Sequence, residues 1–235
     1  MPNKSKSAKK KKSSFSPAIL VALAVILVTV VGLAMAIVHF TGGEEESHSD
    51  VSNSTTSVST TETLKGTYYA ELEMEDGGKI VMELYADIAP ITVTNFVKLV
   101  QEKFYDGLTF HRVVEGFMVQ TGDPKGDGTG GSDEKIFGEF TANGFENNLS
   151  HTRGVISMAR RGSQYNDSDY YDTASSQFFI CHGDSTFLDG KYASFGKVIS
   201  GMDVVDKIAS VPVNGETPRE KIVIKSIRMI DKPAA

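Results

Sequence analysis

Between Ala18 and Val38 the chain runs for 21 residues without a charged side chain, mostly Ala, Val, Leu and Ile. At about 1.5 Å rise per residue, a helix of that length spans roughly 30 Å, the thickness of a bilayer's hydrocarbon core. Lys4, Lys6 and the run Lys9 to Lys12 stand directly before it. Such lysines stay cytoplasmic, so a single-pass anchor with the body outside is expected. Ala34-Met35-Ala36 also suits signal cleavage, which would give a secreted protein instead. The apolar run exceeds the ~7–15 residues of a usual signal h-region, which favours an uncleaved anchor. No cysteine follows the segment until Cys181, which excludes lipoprotein-type anchoring.

Charge divides the chain in the same place. Residues 1–40 hold six of the 24 Lys and Arg and none of the 30 Asp and Glu, so the other 195 residues carry a net −12. An acidic body argues against nucleic acid as a partner, because binders of it show a basic face. The single Cys181 rules out a disulfide framework, and no Cys or His cluster completes a zinc site. From about 41 to 65 the composition turns to Ser, Thr, Gly and Glu, which cannot bury a core. Read as a flexible stalk, this stretch would hold the body some 25–30 Å from the membrane. The organisation expected is a basic tail over 1–17, an anchor over 18–40, a linker over 41–65, a folded domain over 66–231 and a short tail over 232–235. Asn53, Asn148 and Asn166 open N-x-S/T triplets, which matter only where the host glycosylates secreted chains.

Within the folded stretch, Tyr69–Met74 alternates, Glu75–Gly78 supplies a turn and Lys79–Tyr85 continues, which is a hairpin signature. After Pro90, Val93, Phe96, Val97 and Val100 recur at helical spacing, predicting an amphipathic helix. A second helix is expected near Met202–Ala209. Short β-rich runs occupy Thr109–Val114, Phe117–Gln120, Gly154–Met158, Gln177–Cys181, Ala193–Val198 and Lys221–Ile230. Many short strands with two helices predict a mainly β protein, a closed antiparallel barrel.

Several catalytic patterns fail. Gly183-Asp184-Ser185 lacks the glycine pair of a protease nucleophile segment, and Ser157 lacks the G-x-S-x-G elbow. Asp123, Asp127, Gly128 and Glu134 fall at calcium-loop spacing, but Lys125 sits at a ligand position and no helices flank the loop. A Gly-rich surface loop is the plainer reading.

The informative stretch is Phe110-His111-Arg112-Val113-Val114-Glu115-Gly116-Phe117-Met118-Val119-Gln120, followed by Gly122-Asp123 and the loop Gly126–Gly131. Together with Gly154–Ala159, Ser176–Ile180, Phe187–Lys191 and Phe195–Val198, it resembles the cyclophilins. The blocks keep family order across nearly all of 66–230, as in a membrane-anchored, bacterial-like member. The resemblance implies peptidyl-prolyl cis-trans isomerisation on an eight-stranded antiparallel barrel closed by a helix at each end.

An X-Pro bond isomerises through a twisted amide without resonance, over a barrier near 20 kcal/mol. No bond is made or broken, so no nucleophile, metal or cofactor is required. An apolar seat for the proline ring and a donor that favours the twisted state suffice. By the family pattern the donor is Arg112, with Phe117 and Gln120 as its catalytic companions. The seat is lined by Phe117, Met118, Phe179 and Leu188. Gln120 and Gln177 meet the peptide backbone, Phe110 packs beneath the arginine, and Ala159, Arg160, Phe187 and Tyr192 complete the substrate contacts. Three positions depart from the best-known eukaryotic members: Phe187 for Trp, Tyr192 for His and Arg160 for Asn. Loss of the indole N–H is expected to weaken cyclosporin binding. The loop 161–173, with Asp167, Asp169, Asp172 and three tyrosines, lies beside the site in the family layout. It is expected to be a solvated loop; selecting substrates or binding a cation is its other reading. The partners expected are proline-containing peptides and unfolded clients emerging across the membrane. A proline-peptide binding module or holdase is the alternative, and an acidic adhesion domain a third.

Overall fold

The computed structural model describes residues 62–234. The basic tail, the apolar segment and nearly all of the Ser/Thr-rich stretch lie outside the described residues. Among the described residues no helix is long and apolar enough to cross a membrane.

The first hairpin pairs β1 (Thr67–Met74) with β2 (Lys79–Tyr85), from Thr67 opposite Tyr85 to Glu73 opposite Lys79. Alternation explains its register: Ala70, Leu72 and Met74 on β1 and Ile80, Met82 and Leu84 on β2 point into the core. Then come α1 (Pro90–Gln101), β3 (Arg112–Val114), β4 (Met118–Thr121), β5 (Val155–Met158), β6 (Phe178–Cys181) and β7 (Ser194–Ser200). The chain ends with α2 (Met202–Ala209), the two-residue strands β8 (Val213–Asn214) and β9 (Thr217–Pro218), and β10 (Ile224–Ile230).

Eight strands form one antiparallel sheet in the order β10-β1-β2-β7-β5-β6-β4-β3, while β8 and β9 form a small hairpin. The sheet curls into a half-barrel, which corrects the closed barrel expected from the sequence. Between its edge strands β3 and β10 there is no continuous ladder. A lone bridge, Thr109 to Val223, joins the segments before them, with Phe110 N–H donating to Ile222 O and Ile224 N–H to Leu108 O.

Phe96 of α1 plugs the core, its ring 5.3 to 5.4 Å from those of Tyr105, Phe178 and Phe195. Pro90 starts this helix where a missing N–H costs nothing. No side chain of its own caps it. The buried Glu139, 47 to 48 residues away, accepts hydrogen bonds from the N–H groups of Ile91 (2.9 Å) and Thr92 (2.8 Å). Burial pushes the Glu139 carboxyl above its usual range, and these bonds hold it back. Before α2, Gly201 has φ +88°, and a Cβ there would collide with Lys79 O, so glycine is required on both counts.

Candidate active site

Four strands build the site from one row of residues. Arg112 on β3 lies opposite Gln120 on β4, Gln120 opposite Phe179 on β6, and Phe179 opposite Ser157 on β5. The next row is Val114, Met118 and Cys181. Period-2 geometry puts both rows on the face away from the main core. Val113, Val119, Phe178, Ile180 and Ile156 point the other way into that core. Met118, Phe179, Cys181, Val155 and Leu188 form a second apolar cluster, with Phe117, Ala159 and Tyr192 against it. Strands β5 and β6 are therefore buried on both faces.

This cluster floors a groove of about 320 Å³ that brings together Arg112, Phe117, Met118, Gln120, Ala159, Arg160, Phe179, Leu188 and Tyr192. Gln177 lines an adjoining cavity of about 370 Å³ that shares Gln120, Ala159 and Arg160 with the groove. Phe187 is 66% exposed, its ring 5.4 Å from that of Phe117 at the groove's rim. Phe110 is buried in the main core and does not line the groove.

Polar groups along one edge are chained. Arg112 Nη1 donates to Gln120 Oε1 (3.2 Å), Gln120 Nε2 to Gln177 Oε1 (2.8 Å), and Gln177 Nε2 to the carbonyls of Gly130 (2.7 Å) and Gly128 (3.1 Å). On its other edge, Arg112 Nε donates to Glu216 Oε2 at 2.6 Å. The β8–β9 hairpin brings Glu216 there, docked by Val113 N–H to Glu216 O (2.7 Å). Sequence reasoning missed this carboxylate, although Gly215, at φ +65° in the two-residue loop Gly215-Glu216, marks a turn there. Arg112 Nη2 makes no hydrogen bond among the described residues, leaving a donor for a ligand in the groove.

Arg160 is engaged differently from Arg112. Its side chain is 3% exposed, and its Nη1 and Nη2 donate to the two carboxylate oxygens of Asp167 at 2.9 and 2.7 Å. Its Nε donates to Lys191 O, and the guanidinium lies 4.6 Å from the Tyr192 ring and 5.1 Å from that of Tyr171. The guanidinium in turn holds the Asp167 carboxyl below its usual range. Asp167 and Tyr171 thus tie the 161–173 loop to the groove wall.

Under Phe179 lies an arrangement resembling a hydrolytic triad: Ser157 Oγ is 3.0 Å from His151 Nε2, and His151 Nδ1 is 2.8 Å from Asp189 Oδ1. Ser157 is 0% exposed, so no substrate carbonyl reaches it. The His151 ring stacks on Phe179 at 6.2 Å and 19°, and the trio braces that ring from below. Cys181 is equally inert, its thiol pushed up to about 12 by burial. At the calcium-like spacing, the buried Asp123 carboxylate accepts the N–H groups of Lys125, Asp127 and Gly128, so it organises the loop.

Burial also holds the His111 and His151 imidazoles below their ordinary 6.5. The unfolded chain therefore binds these protons more readily than the folded one. The stability they contribute is present above about pH 6.5 and is lost as the pH falls through their folded values. Glu139, shifted upward, acts with the opposite sign. A lower urea midpoint at about pH 5.5 than at about pH 7.5 is the expected result. An equal midpoint at both would contradict the assignment of neutral, buried imidazoles.

The comparisons with known proteins meet this geometry. The family described as "Cyclophilin type peptidyl-prolyl cis-trans isomerase/CLD" matches residues 69–229. The chain belongs to the cyclophilin-type peptidyl-prolyl cis-trans isomerases. Similar proteins include peptidyl-prolyl cis-trans isomerase-like 3 of Gallus gallus, 42% identical over 68% of this chain and 95% of that protein. Peptidyl-prolyl cis-trans isomerase B of Bacillus subtilis is 44% identical over 63% of this chain and 92% of its own length. Against peptidyl-prolyl cis-trans isomerase-like 2 of Gibberella zeae the identity is 38%, and the chain spans only 28% of that longer protein. Among solved structures, a cyclophilin-type isomerase of Cryptosporidium parvum superposes with TM-score 0.64 at 28% identity, covering 72% of this chain and all of its own. The chemistry of this cyclophilin is that of an isomerase.

Proposed function

We propose that this cyclophilin is held by the apolar segment 18–38 and works outside the cytoplasmic membrane on chains that have just crossed it. X-Pro isomerisation takes tens to hundreds of seconds uncatalysed, which limits folding where prolines must reset. The observation that carries the catalytic part is the row Arg112–Gln120–Phe179, which sets a cation donor at the edge of an apolar floor. Twisting the amide localises the lone pair on the prolyl nitrogen and frees the carbonyl from conjugation. A guanidinium then bonds either atom more strongly than in the planar ground state. Phe117, Met118, Phe179 and Leu188 take the proline ring, and Gln120 and Gln177 orient the flanking backbone. The Cryptosporidium parvum protein was also solved in the presence of dipeptide Ala-Pro, a ligand of the chemistry this groove fits.

The location rests on the lysines before residues 18–38 and the absence of charge within them. Protease added to intact bacterial cells making the full chain should digest the isomerase body and spare a cytoplasmic control protein. Protection of the body until lysis would reject the orientation. At the rim, Phe187 offers an aromatic wall without an indole N–H. Weak inhibition by cyclosporin is expected, with Phe187→Trp raising the sensitivity. Inhibition of the unmodified chain at nanomolar cyclosporin would contradict this.

A further inference from the structure

Phe117 enters the seat from the turn that joins β3 to β4. Residues 115 and 116 are exposed, and Gly116 has φ +77°, a conformation that favours glycine. Phe117 N–H closes the turn on Val114 O at 3.0 Å, and two further sets of hydrogen bonds dock it. The main chain of residues 182 and 183 donates to Phe117 O, at 2.9 and 3.3 Å. The His182 side chain supplies the other bond, its Nδ1 accepting the Gly116 N–H at 2.8 Å.

The opposite nitrogen of that ring, Nε2, lies 3.2 Å from Asp206 Oδ1 on α2. With Nδ1 accepting and Nε2 donating, one neutral tautomer satisfies both contacts. Asp206 is fixed in turn by Arg153, whose Nη2 donates to Oδ1 (2.7 Å) and Oδ2 (2.8 Å) while its Nη1 donates to His182 O (2.7 Å). Arg153 N–H donates to Asp184 Oδ1 at 2.8 Å, closing the cluster. None of these side chains lines the groove.

The geometry points to His182 as a positioning residue for isomerisation, carrying the order of α2 through Asp206 to the Gly116–Phe117 turn and so fixing one wall of the proline seat. The inference concerns the groove already described, and its readouts are separate from the existence of activity.

In the full chain, His182→Ala should lower kcat/KM by roughly three- to tenfold, the size of one ordinary hydrogen bond, mainly through KM. His182→Asn places an amide oxygen near the Nδ1 position and should recover most of that loss. Unchanged kcat/KM in the alanine variant, or an asparagine variant no better than alanine, would overturn the role. An enzyme inactive before mutation would instead indict the catalytic reading. Imidazole nitrogen NMR on the unmutated chain keeps the test independent of how the variants fold. The two contacts require a bare Nδ1 and a hydrogen on Nε2, and a proton on Nδ1 would overturn the proposal.

Discussion

Arg112→Ala should lower kcat/KM for cis-to-trans isomerisation of a short X-Pro peptide by about 100-fold or more, the usual cost of removing a donor aimed at transition-state charge. Stability should hardly change. The guanidinium is 39% exposed and its partner Glu216 is 53% exposed, and an ion pair that open to water contributes little to folding. Its value lies in direction. Glu216 takes the Nε edge and Gln120 takes one hydrogen of Nη1, which leaves the remaining Nη hydrogens for the groove. Arg112→Lys keeps the charge but cannot make both contacts from one planar fork, so it should recover little of the rate. Full activity in the lysine variant would show that charge alone suffices. Unchanged activity in the alanine variant would remove Arg112 from the mechanism.

The second large effect separates two neighbours on one strand. Phe178 and Phe179 are both buried, but they face opposite sides of β6. Phe178 packs edge-on against Phe96 and Tyr105 at 5.4 and 5.5 Å. Its replacement by Ala should cost about 3–5 kcal/mol of stability, a fall in Tm of about 10 °C or more for a domain of this size. Phe179 stands on the groove side between His151 and Tyr192. Phe179→Ala should spare more of the Tm and reduce kcat/KM by about tenfold or more, because the proposed proline seat loses one of its apolar walls. Thermal melts and peptide kinetics on both variants check this. Equal losses of Tm with equal residual activity would mean that the two faces are not distinct.

Where periodicity is strong, the fold was legible from residues alone. The alternation of Tyr69–Met74 and Lys79–Tyr85 and the spacing of Val93, Phe96, Val97 and Val100 correspond to β1, β2 and α1. Strands β5 and β6 were visible only as apolar runs, since four consecutive buried residues carry no alternation to say which face is which. Telling Phe178 from Phe179 therefore required the family motif or the coordinates. The features that stayed hidden are non-local. Glu139 caps a helix that begins 49 residues earlier, and Glu216 grips Arg112 from 104 residues away. Neither contact leaves a trace in local spacing. Arg160 could be placed beside the groove by its motif, but its capture by Asp167, seven residues on, depends on the course of the loop between them. The half-barrel likewise follows from a seam whose segments meet at one bridge, which no propensity encodes.

A donor beside an apolar seat should accelerate rotation about an X-Pro bond without consuming the peptide. Exchange NMR on a proline peptide present in large excess over the full chain tests this directly. Cross-peaks between the cis and trans signals should appear at catalytic amounts of protein, with the cis-to-trans ratio unchanged and the peaks lost with Arg112→Ala. Shifted or broadened peptide signals without cis–trans exchange would contradict the account and identify a proline-peptide binding module instead.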